Sequence, residues 1–278
     1  MRNWILISTI VVGLAGTVRA TEPDPKELAA KGYATFKTVL AGDEAKLPEA
    51  IRYMEESRRA DDTNVGNLYN LARAYFFEAI TFNRVEPLGK AEQTFARIVE
   101  LDPKRVDALS FHGSILTIMS QGGDLAKFMQ GVQEMKTAIE RSPNDITSRI
   151  VLSTTARNFP PQALAAMGNY DPSGDVQFVA NVFDRIHSDF APHASVVMNA
   201  FAGEGYKLKG DDEKARSSFQ TALSVPMPND AGARSGRELL NKAISARMNG
   251  GEKPLLADAA FSGCHSCHLT APEKLLPR

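Results

Sequence analysis

Apolar residues recur along this chain at intervals of three and four, and this spacing is the strongest constraint on its fold. Such spacing places apolar side chains on one face of an α-helix. Proline, glycine and Asn-Asp pairs separate the apolar segments, and no segment shows the strict alternation of apolar and polar residues that is typical of a half-buried strand. The sequence therefore predicts an all-α fold.

The predicted helices share a register, which indicates an internal repeat. Pro103, Pro143 and Pro192 each close a predicted helical segment, because proline lacks the amide donor that a helix interior needs. The residues twelve, eight and five positions before these prolines are Ala91, Phe95 and Ile98; Gly131, Met135 and Ala138; and Ala180, Asp184 and His187. The third copy departs from the small or apolar pattern at its last two positions. A shared register of this kind is typical of stacked helix pairs.

The clearest copy runs from Asn199 to Pro228. It has small residues and aromatics at the spacing that two closely packed antiparallel helices need, namely Gly203, Tyr206, Gly210, Ala215, Phe219 and Ala222. Together with Pro226 and Pro228 near the closing position, this copy resembles the tetratricopeptide repeat, or TPR. A weaker copy of the same pattern passes through Gly32, Phe36, Ala50 and Met54.

The resemblance covers about residues 26–248 and implies a TPR-like solenoid of antiparallel helix pairs. Its concave face would bind a partner protein or peptide. Inserts such as Thr81–Leu88 lengthen some copies, residues 146–175 are the least regular part, and Ala231–Met248 is predicted to form a single capping helix. The alternative to a repeat array is an irregular helical bundle whose helix ends match by chance.

Residues 1–20 have the pattern of a cleavable secretory signal. Arg2 precedes an apolar run over Trp4–Ala15, and small residues at Val18 and Ala20 predict cleavage after Ala20. The run is shorter than the roughly 20 residues that span a bilayer, so we expect no membrane span after cleavage. The alternative is an uncleaved N-terminal anchor. The mature protein is expected to be periplasmic or otherwise exported, with a repeat domain over residues 21–248 and a C-terminal segment over 249–278.

The charge of the mature chain argues against nucleic acid as a partner. Without Arg2 and Arg19, 30 basic residues face 33 acidic ones, a net charge near −3. Binding to a phosphate backbone requires a clustered excess of lysine and arginine, which this composition does not supply. No Ser/His/Asp order, paired carboxylate motif or phosphate-binding glycine loop stands out, so the sequence favours an electron carrier or scaffold over an enzyme.

The two cysteines of the chain lie within one short motif, Cys264-His265-Ser266-Cys267-His268. This Cys-x-x-Cys-His string resembles the haem-attachment motif of c-type cytochromes. On a helical turn, Cys264 and Cys267 share a face, so both thiols can form thioethers with the two vinyl groups of one haem. His268 lies on the same face and can bond the haem iron. The sequence therefore predicts one covalent haem c, held by these three residues.

Three other interpretations of the cysteine motif remain open: a dithiol redox pair, a structural zinc site and a chance occurrence. A redox pair of the thioredoxin kind needs a βαβ setting, and a structural zinc site needs a second ligand pair.

Because only ten residues follow His268, the motif resembles the C-terminal placement seen in cytochromes c′. Gly250, Gly251 and Pro254 interrupt the long final helix of such a bundle, so we expect a short haem-bearing tail docked on the repeat array.

The sixth ligand of the haem iron is open at the sequence level. His193 follows Pro192 in a predicted interhelix turn and is a candidate, as is Met248 near the tail. His112 and His187 fall at positions that are normally packed between helices, and a five-coordinate iron is a further alternative.

The predicted function is electron transfer or a redox-complex scaffold with a redox partner protein. The alternative is an exported TPR module that assists a transporter or protein complex, without a redox role.

Overall fold

The structure of the protein, a computed structural model, describes residues 24–40, 43–82, 84–120, 123–156, 159, 161–168, 170–183, 192–227 and 231–255. Within these residues the chain forms α-helices and one short 3-10 turn, and no β-strand, so the predicted all-α class is confirmed. The helices are α1 (Pro25–Leu40), α2 (Leu47–Ala60), α3 (Val65–Phe82), α4 (Val85–Leu101), α5 (Val106–Met119), α6 (Leu125–Arg141), α7 (Ile146–Ala156), α8 (Pro161–Ala166), α9 (Ser173–Phe183), α10 (Pro192–Leu208), α11 (Asp212–Ser224) and α12 (Ala231–Met248).

Consecutive helices pack as hairpins, and the hairpins stack on one another. The most extensive contacts join α1 to α2, α3 to α4, α5 to α6 and α10 to α11. Helices linked by such short connections run antiparallel. Further contacts of α2 with α3 and of α4 with α5 join one hairpin to the next. The chain therefore has the TPR-like helix-pair array that its repeat predicts.

The shared register places its residues in the core. Ala91, Phe95 and Ile98 of α4 are 0 % exposed, as are Met135 and Ala138 of α6. These positions recur every three or four residues, so they form one apolar stripe on each second helix and pack against the first helix of the pair. The sequence pattern therefore identifies the buried faces of these two helices correctly.

Pro192 is the first residue of α10, where a missing amide donor is tolerated because the first turn of a helix has no partner for that donor. Residues 184–191, where a helix closed by Pro192 would end, lie outside the described residues, so that prediction stays a prediction. The preceding helix, α9, ends at Phe183, and Asp184 and His187 lie outside the described residues. Ala180 does pack as the register requires, because it is 0 % exposed, and the Tyr206 hydroxyl of α10 donates to its carbonyl oxygen at 3.1 Å.

Close helix–helix approach occurs where the repeat places small residues. A methyl group built on Gly203 of α10 would collide with the ring of Phe219 in α11, and one built on Gly32 of α1 would collide with Met54 in α2. Gly210, which the repeat also singles out, has φ = +78° between α10 and α11, a conformation that favours glycine. Both the clear and the weak copy of the repeat thus form tightly packed helix pairs.

Within the irregular region the structure describes one short helix between α7 and α9. After α7 ends at Ala156, α8 forms a single short helix at Pro161–Ala166, and α9 follows. The insert predicted at Thr81–Leu88 is mostly helical, because α3 extends to Phe82 and α4 begins at Val85. The additional residues of that copy therefore lengthen its helices instead of forming a loop.

Two apolar clusters form the core of the described residues, and α7 contributes to both. The larger cluster spans α1–α7 and includes Phe95 and Phe111, whose rings stack with centroids 5.2 Å apart. The smaller cluster is built from α9–α12 and also contains Ile150 and Leu255. Because Val151 belongs to the first cluster and Ile150 to the second, α7 links the two halves of the array.

Side-chain caps begin several helices. Asp124 and Asp211 accept hydrogen bonds from the amides of Lys127 and Lys214, at 3.0 and 3.1 Å. Such caps satisfy amide groups that lack a partner within the helix, and their negative charge suits the positive end of the helix dipole. The acidic run at Asp211–Glu213 therefore stabilises the start of α11.

Replacing Gly131 with alanine is expected to destabilise the protein. A methyl group at Gly131 would overlap the Gly113 carbonyl oxygen and lie 2.8 Å from Thr117 Cγ2, so α5 and α6 would have to separate. We expect a loss of roughly 1–3 kcal/mol in the free energy of unfolding, measured by urea denaturation. Gly89→Ala is the matched control, since nothing lies within 4 Å of its added methyl group. In the α4 interior this change should stabilise the protein by about 0.5–1 kcal/mol. Equal effects of both changes would contradict the proposed close approach.

Candidate functional site

The predicted haem ligands Cys264, Cys267 and His268 lie outside the described residues, and so does His265. The structure describes the chain up to Leu255, and therefore shows how the first residues of the C-terminal segment lie on the array. The capping helix α12 ends at Met248, as its sequence predicts, and Gly250 follows with φ = +96°. Glycine adopts this conformation without strain, so the chain can turn sharply at the end of α12.

A buried ion pair holds the segment that follows α12. Arg247 donates from Nη2 and Nε to the two carboxylate oxygens of Glu204, at 2.8 and 2.9 Å. The side chains of Arg247 and Glu204 are 9 % and 2 % exposed, so the pair has little contact with solvent. A bidentate arrangement of this kind fixes both position and orientation of the two groups.

The same two residues bind the backbone beyond α12. Arg247 Nη1 donates to the carbonyl oxygens of Gly251 and Glu252 at 2.8 and 3.2 Å. The amide of Leu255 donates to Glu204 Oε2 at 3.3 Å, and the Leu255 side chain is buried in the smaller core cluster. We call Glu204, Arg247 and Leu255 the tail anchor. It attaches the start of the C-terminal segment to α10.

A partly open cavity of about 400 Å³ lies beside the tail anchor. Its lining comes from the end of α10, from α11 and from the end of α12: Lys207, Asp212, Ala215, Arg216, Phe219, Met248, Asn249 and Gly250. We call it the α10–α12 pocket. Its lining combines the apolar side chains of Phe219 and Met248 with two cationic side chains and one carboxylate, and Lys207 Nζ lies 3.8 Å from Asp212 Oδ1. Because Phe219 is 1 % exposed, charged and polar groups form most of the surface that a ligand would meet.

The two candidate sixth ligands are far apart: Met248, the last residue of α12, lines a pocket at the C-terminal end of α10, and His193 lies at the N-terminal end of α10. Met248 is half-buried and lines the α10–α12 pocket together with Lys207, which is in the last turn of α10. His193 is the second residue of α10 and not part of an interhelix turn, so that prediction is wrong. The 14 residues between His193 and Lys207 correspond to a rise of about 21 Å along the helix. The structure therefore brings Met248, and not His193, to the end of α10 where the tail begins.

His112 is a buried core histidine, as its sequence position predicts. It is 7 % exposed, and its Nδ1 lies 2.5 Å from Glu134 Oε2 while its Nε2 lies 3.5 Å from Glu92 Oε1. Burial alone lowers the pKa of His112, but the hydrogen bond and charge of Glu134, together with Glu92, outweigh burial and raise it above the ordinary value. His112 thus joins α4, α5 and α6 through its two carboxylate partners.

Within the described part of the chain, no group of three His, Cys, Asp or Glu side chains is arranged to hold a metal ion. In the same residues, none of the helices has the length and apolar character required to cross a membrane.

Sequence reasoning missed the tail anchor and the charged residues of the pocket. Glu204 and Arg247 are 43 residues apart, so no local motif signals that they meet. Each alone has the pattern of an ordinary charged residue on a helix. The one available signal is Leu255, an apolar residue after a glycine-rich helix end, which suggests that the chain continues along the surface of the array.

No protein-family model matches the sequence, and no curated protein matches it significantly. Among solved structures, the chain is similar to YrrB, described as a TPR protein with an unusual peptide-binding site. The two sequences are 18 % identical, and the match covers 73 % of this chain and 89 % of that one, with a TM-score of 0.34. At this level of similarity the comparison carries no argument, and the repeat fold rests on the helix pairs and register described above.

The His112 cluster is expected to make stability depend on pH. Because the pKa of His112 is raised in the folded state, its stabilising effect is complete below the unfolded value of 6.5 and is lost as pH rises through the folded value. Glu134→Gln removes the carboxylate charge that contributes most to raising the pKa of His112. The Tm difference between wild type and this variant should be large at about pH 6 and small at about pH 9. A difference that stays constant over this range would contradict the assignment.

Removing the positive charge of the tail anchor is expected to destabilise the fold strongly. Arg247→Met leaves the buried Glu204 carboxylate without its partner, which costs about 3–5 kcal/mol in comparable buried pairs. Lys31→Met is the matched control, because the Lys31–Glu27 pair is exposed on α1, and its effect on urea denaturation should be small. The double change Glu204→Met with Arg247→Met should recover part of the loss. Failure of the double change to recover stability would show that the loss does not arise from an unpaired charge.

Proposed function

We propose that the protein is an exported TPR-like scaffold with one covalent c-type haem, which takes part in electron transfer. The observation that carries this proposal is the confinement of both cysteines to a single Cys-x-x-Cys-His motif, Cys264 to His268. Two thiols three residues apart, followed by an imidazole, are the donor set that c-type haem uses. When bound, the haem supplies a reversible one-electron couple.

The described array supports a peripheral position for the haem. Its two apolar clusters consist of side chains from the array itself and Leu255, and Phe36, Phe95, Phe111, Phe201 and Phe219 are among the fully buried residues. A repeat array stabilises itself through contacts between neighbouring helix pairs. The haem motif follows this array, so it would not need to form part of the core. A haem outside the core is well placed to exchange electrons with a partner protein.

Export is part of the same proposal. Residues 1–20 have the charged start, apolar run and small residues of a secretory signal. Attachment of c-type haem takes place outside the cytoplasm, so a haem motif and an export signal in one chain are mutually consistent. The dithiol reading would require a thioredoxin-like setting, whereas the described residues are helical.

The proposed partner surface has exposed apolar residues at equivalent repeat positions. Val85 and Leu125 each begin the second helix of a pair, six residues before Ala91 and Gly131, and they are 84 % and 71 % exposed. By contrast, α5 is buried from Asp107 to Thr117, so it offers little surface. Contiguous exposed apolar patches are typical of protein-binding surfaces. A patch that joined these equivalent positions would bind a protein partner, and it would serve equally in a module without a redox role.

Covalent haem is the expected result when the full chain is expressed with haem-maturation machinery. The purified protein should have a Soret band, and its haem should remain attached in a denaturing gel because thioether bonds survive unfolding. Replacing both Cys264 and Cys267 with serine should abolish attachment while leaving the helical circular dichroism unchanged. A wild-type protein with two free thiols and no Soret band would overturn the proposal.

His265→Ala is the matched control for the haem experiment. On a helical turn His265 points away from the face shared by Cys264, Cys267 and His268, so its loss should leave the spectrum nearly unchanged. His268→Ala should shift the Soret band of any haem that is attached, since only the imidazole bonds the metal. A large spectral change at His265 and none at His268 would contradict the assigned ligand.

A further inference from the structure

We propose that Asn249, the residue that follows α12, is a site of spontaneous deamidation in the folded protein. In this reaction the amide nitrogen of Gly250 attacks the side-chain carbonyl carbon of Asn249. The Cγ–Nδ2 bond breaks, and the displaced nitrogen leaves as ammonia together with the Gly250 amide proton. Water then opens the succinimide ring and yields aspartate or isoaspartate. The proposal is independent of haem.

The dipeptide Asn249-Gly250 presents the reacting groups with little steric hindrance. Asn249 is the only asparagine in the sequence that glycine follows. Glycine has no Cβ, so no side chain shields its nitrogen. The space beside Gly250 is also open, because nothing lies within 4 Å of a methyl group built on it. Both residues are exposed, so the water that opens the ring has access.

The attacking nitrogen is weakly held at the end of α12. The amide of Gly251 donates to the carbonyl oxygen of Ala246 at 2.9 Å, whereas the amide of Gly250 donates to that of Arg247 at 3.4 Å. Together with the positive φ of Gly250, these two bonds form a Schellman motif. The Gly250 bond is the longer and weaker one. The Gly250 amide can therefore leave its acceptor while the Gly251 bond maintains the turn.

The same motif explains why this dipeptide occurs here. Gly250 has φ = +96°, a conformation that a residue with a Cβ adopts only with strain. Asn249 is still bonded to the helix, because its amide donates to the carbonyl oxygen of Ser245 at 3.1 Å. The sharp turn after α12 thus requires a glycine directly after an exposed asparagine.

The α10–α12 pocket favours the charge that the reaction creates. Asn249 lines this pocket together with two cations, Lys207 and Arg216, and one carboxylate, Asp212, so the lining is cationic overall. Deamidation converts a neutral amide into a carboxylate, which nearby positive charge stabilises. This effect is small because Arg216 and Asp212 are exposed. The pocket therefore assists the reaction, and the backbone at Gly250 determines its site.

Deamidation would alter the tail anchor. In isoaspartate the main chain runs through the former side chain, so an additional carbon atom enters the backbone between Asn249 and Gly250. Beyond this insertion, Arg247 Nη1 holds the carbonyl oxygens of Gly251 and Glu252 at 2.8 and 3.2 Å. These bonds must shift in the isoaspartyl protein. The aspartyl product keeps the original backbone and leaves them in place.

The test incubates the purified full chain at mildly alkaline pH and follows the mass of one peptide. Cleavage after glutamate releases Leu239–Glu252, which contains both Asn249 and Asn241. We expect this peptide to gain about 1 Da, because a side-chain NH₂ group is replaced by OH, and fragmentation should place the gain at Asn249. Asn241 is the internal control. It lies inside α12, lysine follows it, and its Oδ1 accepts from Arg237 Nε at 3.0 Å, so it should stay unchanged.

Asn249→Gln is the matched control variant. Its longer side chain would have to close a six-membered ring, which forms much more slowly, so its peptide should keep its mass. After equal incubation the urea midpoint of the wild type should fall, whereas that of Asn249→Gln should not, since only the wild type acquires isoaspartate. A mass gain without a change in midpoint would overturn the link to the tail anchor.

Incubation of the same chain in urea separates the folded site from the dipeptide alone. An unfolded Asn-Gly sequence has no hydrogen bonds that oppose ring closure, so Asn249 should also convert there. Conversion in urea without conversion in the folded protein would overturn the proposal, because it would show that the Schellman motif protects Asn249. No conversion in either condition would overturn it as well. Conversion in both conditions, located at Asn249 in the folded protein, supports it.

Discussion

Close approach of helices at small residues is the constraint on which the rest of the array depends. Where Gly131 of α6 meets Gly113 of α5, there is no room for even one methyl group. At Gly203 of α10, the ring of Phe219 in α11 occupies the space that a methyl group would take. Packing at this distance lets neighbouring side chains fill the space beside each glycine, such as Met135 beside Gly113 and Phe219 beside Gly203. Each pair then presents a continuous apolar face, so stacking of neighbouring pairs buries a core along the whole array.

The C-terminal half uses a second kind of interaction, a buried ion pair. The desolvation cost of Glu204 and Arg247 is offset because every carboxylate oxygen has a hydrogen-bond donor and Arg247 also reaches two backbone carbonyls. Apolar packing alone would allow the chain beyond α12 to lie in several directions. The directional hydrogen bonds of the pair select one of them for residues 251–255, the start of the segment that contains the Cys-x-x-Cys-His motif.

Repeat register and helix ends were predictable to different degrees. The buried stripes of α4 and α6, the capping helix α12 and the burial of His112 follow from apolar spacing, which is a property of consecutive residues. Pro192 shows the limit of this reasoning. A proline marks a helix boundary, but the same missing amide is tolerated just inside the start of a helix and just beyond its end, so the residue alone does not say which side is helical.

The predicted chemistry of this protein depends on neighbouring residues of its sequence, whereas the packing around the start of its C-terminal segment is decided by its tertiary structure. Cys264, Cys267 and His268 lie within five residues, so their suitability for haem depends only on local spacing. The all-α repeat is likewise encoded by short-range periodicity. The tail anchor and the α10–α12 pocket depend on contacts between residues about 40 positions apart, such as Glu204 with Arg247. Such contacts arise when helices pack, and no pattern of neighbouring residues encodes them.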